Sequence, residues 1–220
     1  MSTILTPPAT IDTLADLLER LGDIPPGRVR FRPAPGTGTE ADVLEIERCE
    51  NRLCELVEGV LVEKTMGYAE SVLAVAICVY LRSFVLPGNL GLVSGAEGMM
   101  RLFPGLVRIP DVAFASWDRF PGRKVPTVPI PDLVPDLAVE VLSEGNTEAE
   151  MARKLLEYFT AGVRLVWLVD PEARTVAVHT SPEKFTVLNE NQTLDGGVVS
   201  PGFSLVLRDL FAELDRQANS

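Results

Sequence analysis

The sequence predicts a mixed α/β fold, one central sheet flanked by helices, on the strength of three patterns. "DLAVEVLS" and "VRLVWLVD" are almost continuously apolar and are separated by a helical stretch, which is how a strand, helix, strand crossover with a parallel pair reads. "LCELV" and "VLVEK" flank Glu58-Gly59, the mark of a tight hairpin with glycine in a left-handed position. At 220 residues and 46% hydrophobic, the chain also has enough apolar side chain for a sizeable core.

In chain order, residues 1–50 read as an arm. "IDTLADLLERLG" places Ile11, Leu14, Leu18 and Leu21 at helical spacing, with Thr10 as N-cap and Gly22 as the stop, and "IPPGRVRFRPAPGTGT" follows as a Pro/Gly-rich loop. Its few apolar residues cannot support a separate core, so the arm is expected to pack on the domain formed by residues 51–220. After the hairpin comes an apolar helix from about Tyr68 to Leu86, read as buried. Short strands are expected around "GLVSG", "GMMRLF" and "LVRIPDVAFAS". A proline-rich loop leads into "DLAVEVLS". Thr147 and Glu150 are spaced as a capping box that opens the crossover helix, and Gly162 closes it. A hairpin through "TVAVHT" and "KFTVL" and a final strand with a short helix, "FSLVLRDLFAEL", complete the chain.

Composition excludes several chemistries. The one histidine, His179, reads as a surface imidazole far from any nucleophile motif, which removes Ser-His-Asp, Cys-His and multi-histidine metal sites. Cys49, Cys54 and Cys78 lack CxxC spacing and are expected to be reduced thiols. There is no Walker sequence and no GxGxxG. The apolar run Ser71 to Leu81 is shorter than the roughly 20 residues that span a bilayer, and "MSTILTPPAT" lacks a secretory pattern, so a cytoplasmic location without a membrane is expected. Net charge is -11, which opposes phosphate binding. The stretch Arg101 to Lys124, with five basic residues against Asp111 and Asp118, leaves room for a locally positive face.

Three acids and a lysine occupy positions where the pattern calls for something else. Glu140 sits at the centre of "LAVEVL", where desolvating a carboxylate costs several kcal/mol, of order ~5, unless a cation compensates it. Strand alternation puts Asp136, Ala138, Glu140 and Leu142 on one face. Asp111 follows Pro110 between "LVRI" and "VAFAS". Two carboxylates meeting at a sheet surface favour a bridging cation, and oxygen ligands without histidine select Mg²⁺ or Mn²⁺, ions that serve phosphate chemistry. Lys154, beside the buried stripe Met151, Leu155, Tyr158 and Phe159, can reach the strand and stabilise developing negative charge. Glu70 opens the long helix and can face the same sheet surface. Simpler readings stand beside these: an ion pair of Glu140 with Arg108, a turn-forming Asp111, an exposed Glu150–Lys154 helix pair, a dipole-favoured Glu70 and a hairpin-turn Glu58.

"IPDVAF", "PDLAVEVLS", the lysine of "MARKLLEYFTAGV" and "LVWLVDP", taken in this order, resemble the Uma-two family of restriction endonucleases, a branch of the PD-(D/E)xK nuclease superfamily. "CELVEGVLVEK" and "PGFSLVLRDLF" extend the resemblance over most of Arg52 to Leu214 and leave the first fifty residues outside it. The resemblance implies a restriction-endonuclease-like core, often assembled as a homodimer, and a metal-dependent endonuclease acting on DNA. It implies Asp111 as the aspartate of the PD motif and Glu140 as the acid of the second motif. The plain pattern has a lysine two residues after that acid; here Leu142 stands there, and Lys154 matches the lysine that this branch supplies from the helix. Where members carry a histidine near the start of the long helix, this chain has Glu70. Asp111, Glu140, the Val141 carbonyl and Glu70 are thus the expected ligands of Mg²⁺ or Mn²⁺, and Lys154 the residue at the attacking water or the phosphorane. A nuclease fold kept only for nucleic-acid or protein binding is the alternative; glycoside hydrolysis by paired carboxylates would leave Lys154 without a role.

Overall fold

The computed structural model describes residues 11–217. Five α-helices are assigned among them, α1 (Leu14–Leu21), α2 (Glu40–Glu50), α3 (Tyr68–Val85), α4 (Glu148–Ala161) and α5 (Leu207–Phe211). The strands are β1 (Cys54–Val57), β2 (Val60–Glu63), β3 (Gly91–Ser94), β4 (Met100–Phe103), β5 (Leu106–Arg108), β6 (Val112–Ser116), β7 (Leu137–Val141), β8 (Leu165–Asp170), β9 (Thr175–His179), β10 (Phe185–Asn189), β11 (Thr193–Gly196) and β12 (Ser200–Val206). A six-stranded sheet runs in the order β10-β9-β8-β7-β6-β3, and β7 with β8 is its parallel pair, bridged by α4 as the apolar strand pattern requires. The remaining pairings in it are antiparallel, so the sheet is mixed.

Beyond the one sheet expected, β2-β1-β5-β4 form a second, four-stranded sheet and β11 pairs with β12. The chain passes from β5 into β6 through Ile109-Pro110-Asp111, where proline has no N–H to continue a ladder and the strand breaks in two. The two faces of the large sheet bury different sets. Leu137, Val139 and Val141 pack with Leu73, Ile77 and Leu81 of α3 and with α5. Ala138 and Val166 pack with Leu155 and Tyr158 of α4 and with Leu17 and Leu21 of α1. α2, which starts from a Thr39/Asp42 capping box where the stretch read as loop ends, buries Val43 and Ile46 against the smaller sheet.

Several local expectations change. Thr10 lies outside the described residues; α1 begins after Thr13, whose hydroxyl forms a capping box with Asp16. Thr147 caps α4, but the Glu150 carboxylate, instead of returning to the cap, meets Arg28 in a buried two-pronged ion pair, both bonds 2.8 Å, that ties the arm to α4. α3 is not buried all round: over 18 residues of mean hydropathy 1.5 it is long and apolar enough by composition to cross a bilayer, yet Leu73, Ile77, Leu81 and Val85 enter the core while Val75, Val79 and Leu86 are exposed. His179 is buried rather than on the surface, stacked at 4.7 Å on Phe185. The three cysteines are free thiols, and burial pushes Cys54 up to about 11.

The β1–β2 hairpin depends on its turn. Glu58 and Gly59 both have positive φ, 52° and 76°, and Gly59 lies directly under Gly36 of the arm, where a Cβ would fall 2.5 Å from the Gly36 carbonyl oxygen. Gly59→Ala is therefore expected to lower stability by about 1–3 kcal/mol through strain at positive φ, with the clash adding to it. Urea denaturation measures the loss; an unchanged midpoint would refute the close approach.

Candidate active site

At the seam between the two sheets, under α4, three carboxylates, Asp111, Glu140 and Glu55, are buried together with several cations. Asp111, at the break between β5 and β6, donates its backbone N–H to the Val139 carbonyl at 2.9 Å. Its Oδ2 accepts the N–H of Val141 at 2.7 Å, taking over a backbone donor just past the last β6–β7 register pair, Val112 with Val139. Oδ1 pairs with the Lys64 ammonium at 2.7 Å, and Lys64 also donates to the Ile109 carbonyl. Glu140, on the α4 face of β7, accepts from Lys154 Nζ at 3.0 Å and from the Tyr158 hydroxyl at 2.5 Å. Lys154 and Tyr158 are one turn apart on α4, so one helical face supplies both partners.

Lys154 Nζ also lies 3.5 Å from Glu55 Oε1. Glu55 on β1 in turn accepts from Arg108 at 2.6 Å and from the Ile109 N–H at 3.1 Å. Arg108 continues to Glu157, and Glu157 to Arg153 at 2.8 Å. Asp111, Glu140 and Lys154 are each no more than 4% exposed, and Glu55 only 1%. The partners differ from those the simpler readings named: Arg108 pairs with Glu55 and Glu157 instead of Glu140, Glu150 pairs with Arg28 instead of Lys154, and the Asp111 carboxylate reaches another strand instead of its own turn.

Glu70 stands apart. It lies in the first turn of α3 with its carboxylate folded back against Gly67, and no hydrogen bond or ion pair joins it to Asp111 or Glu140. The favourable position of an acid at a helix N-terminus accounts for it. Glu70 lines a neighbouring cavity of about 950 Å³ with Leu142, Met151 and Leu155, a cavity that Asp111, Glu140 and Lys154 do not line. Glu58 is the turn residue of the hairpin and pairs with Arg20 and Arg153. Val141 brings its N–H to Asp111 while its side chain enters the core.

Glu55, Lys64 and Tyr158 join the cluster although the sequence reading did not select them for it. The signal for Glu55 was present: a charge at the centre of the apolar "LCELV", the same anomaly that singles out Glu140. Tyr158 was visible only as part of a buried stripe, and Lys64 only as the residue after a strand.

The electrostatics separate the acids. Burial raises the Glu55 pKa, but Lys154 and Arg108 outweigh it and hold the carboxyl well below the usual range. Glu140 moves the other way: burial, reinforced by Asp111 and Glu55, overcomes Lys154 and Lys64 and leaves its pKa raised. Burial lowers the Lys154 pKa, yet Glu140 and Glu55 push it above the ordinary value, so the amine stays protonated. Burial and the charges of Glu140 and Glu55 raise Tyr158, which remains a hydrogen donor.

Among the described residues no group of three or more His, Cys, Asp or Glu side chains is placed to hold a metal ion. A hard ion such as Mg²⁺ needs fewer, because one or two carboxylates, waters and the substrate phosphate commonly complete its shell. Asp111 and Glu140 supply carboxylate oxygens of the kind such an ion takes, on neighbouring elements of one buried cluster. By the chemistry of this donor set the pair is compatible with a hard divalent cation.

The strand, helix, strand unit and the mixed sheet thus bring an acid, acid, lysine cluster together at a buried point. The chain belongs to the family Uma2, described as "Putative restriction endonuclease", whose model matches residues 20–208 and so begins inside the stretch read as an arm. Among solved structures, a protein described as a "putative nuclease belonging to DUF820" from Anabaena variabilis is similar, at a TM-score of 0.66 and 22% identity over 74% of this chain and 91% of that one. No curated protein matches the chain.

Because Glu55 compensates two buried cations and Glu140 is itself under-compensated, their amide variants should differ. Glu55→Gln is expected to cost about 3–5 kcal/mol at neutral pH, as breaking a buried pair does, and Glu140→Gln clearly less. The sign with pH follows: the depressed pKa of Glu55 contributes stability above the ordinary value of 4.5, lost as pH falls through its lower folded value. Glu140, with its pKa raised, costs stability as pH climbs above 4.5. Urea titrations of both variants from neutral pH to pH 4 check the order; equal losses would contradict it.

Proposed function

We propose that the protein is a divalent-metal-dependent endonuclease that hydrolyses DNA phosphodiester bonds at Asp111, Glu140 and Lys154. The observation that carries this reading is the convergence of the three on one buried point from separate elements: Lys154 Nζ is 3.0 Å from Glu140, and the residue after Glu140 donates its N–H to Asp111 at 2.7 Å. Membership of a restriction-endonuclease family supports the same direction.

Asp111 and Glu140 would hold Mg²⁺ or Mn²⁺, with the Val141 carbonyl as a further oxygen ligand. Bound there, the ion supplies a hydroxide-generating centre and neutralises phosphate charge. The chain's own groups do the rest. The Val141 N–H fixes Asp111, and the Tyr158 hydroxyl fixes Glu140. Lys154, kept protonated by Glu140 and Glu55, stabilises the charge that builds on the phosphoryl oxygens as water attacks phosphorus and the bond to the leaving oxygen breaks. Glu70 faces the adjoining cavity and takes no part in this reading. A homodimer would place two such sites on two strands of DNA.

A second reading, a nuclease fold kept for binding nucleic acid or protein, is favoured by one observation. Each oxygen of Asp111 and Glu140 already has a partner within the chain, and the net charge is -11. Plasmid nicking and linearisation with Mg²⁺ or Mn²⁺ separate the two readings. Asp111→Ala, Glu140→Ala and Lys154→Met should each lower the cleavage rate at least about a hundredfold, the order lost when an electrostatic stabiliser is removed. Wild-type protein that leaves DNA intact would refute the nuclease reading and favour the binding one; variants as active as wild type would refute the assignment of these three residues.

A further inference from the structure

The cluster holds two lysines where the nuclease reading uses one, and their settings differ. Lys154 rises from the middle of α4, with its ammonium shared between Glu140 and Glu55. Lys64 follows the last residue of β2, its N–H still bonded to the Leu53 carbonyl, and only the chain leading to α3 lies beyond it. Its ammonium touches one carboxylate, Asp111 at 2.7 Å, and the Ile109 carbonyl, with the side chain 8% exposed. It thus occupies the oxygen of Asp111 that the Val141 N–H leaves open.

We propose that Lys64 is the counter-cation of Asp111 in the metal-free protein and that a divalent ion must displace it, so that Lys64 sets the metal affinity of the site. The proposal rests on the metal-dependent reading above. An ammonium and a dication cannot both sit against the same carboxylate oxygen without strong repulsion, and of the two lysines Lys64 is the one with a single carboxylate partner and a place at the end of its strand. The exchange leaves Asp111 compensated in both states, which explains how a buried carboxylate is tolerated before metal arrives.

Calorimetric titration of the full chain with Mn²⁺ tests the affinity, and amine-directed labelling read by mass spectrometry tests the displacement. Removing a charge this close changes the binding of the competing cation at least about tenfold. Lys64→Met should bind Mn²⁺ tighter by at least that factor, and Lys64→Arg, which keeps the charge, no tighter than wild type. In wild type, labelling of Lys64 should rise several-fold on adding Mn²⁺, and Asp111→Asn should label readily without it. Mn²⁺ binding by wild type with unchanged Lys64 labelling, or tighter binding by Lys64→Arg, overturns the role of Lys64 and leaves the metal site standing. Absence of Mn²⁺ binding in wild type and in Lys64→Met overturns both. A Lys64→Met chain that binds Mn²⁺ when wild type does not supports the competition in its strongest form.

Discussion

The lysine ammonium shared by Glu140 and Glu55 is the interaction around which the cluster is arranged. Buried charges of one sign repel and are poorly solvated, so they persist only where charges of the other sign lie between them. Lys154 does this for β7 and β1 at once, and Arg108 passes the compensation on to Glu157, Arg153, Glu58 and finally Arg20 of α1. The resulting chain of alternating charges crosses both sheets, α4 and the arm. Its inner end is dry and its outer end, at Glu58, is wet, so the energetic weight falls on the members nearest Glu140.

This arrangement explains why the arm behaves as part of the domain. Arg28 and Glu150 form a second buried pair a turn away from Lys154, and the apolar residues of α1 share a cluster with Leu155 and Tyr158. α4 is therefore held from two sides, by the sheet through Glu140 and by the arm through Arg28. The family match beginning at residue 20, inside the arm, agrees with that packing.

Much of this was legible in the residues, and the exceptions have physical reasons. The crossover β7-α4-β8 was readable because strands buried on both faces leave almost no polar position, which also made Glu140 conspicuous. Asp111 stood out by its place in an apolar stretch, and Lys154 by its reach from α4 toward the strand that carries Glu140. Glu55 carries the same kind of anomaly as Glu140, but in a four-residue hairpin strand a single charge is easily assigned to a water-facing side, and here the second sheet packed under α4 removes that water. The second sheet was itself hard to foresee, since β4 and β5 are four and three residues long and only the pairing of β5 with β1 joins them to the first hairpin. α2 was obscured by its charged composition, with Val43 and Ile46 buried and Leu44 partly so.

The break at Pro110 carries a mechanical consequence. Glu55 and Arg108 ride on the smaller sheet, Glu140 on the larger one, and Asp111 on the covalent strap between them. Any tilt of one sheet against the other must change the gap that Lys154 spans. The spacing of the acids therefore gauges the alignment of the two sheets, and a force that wedges the sheets apart, from a bound polymer or a neighbouring chain, would be felt first as a loosened grip on that single ammonium.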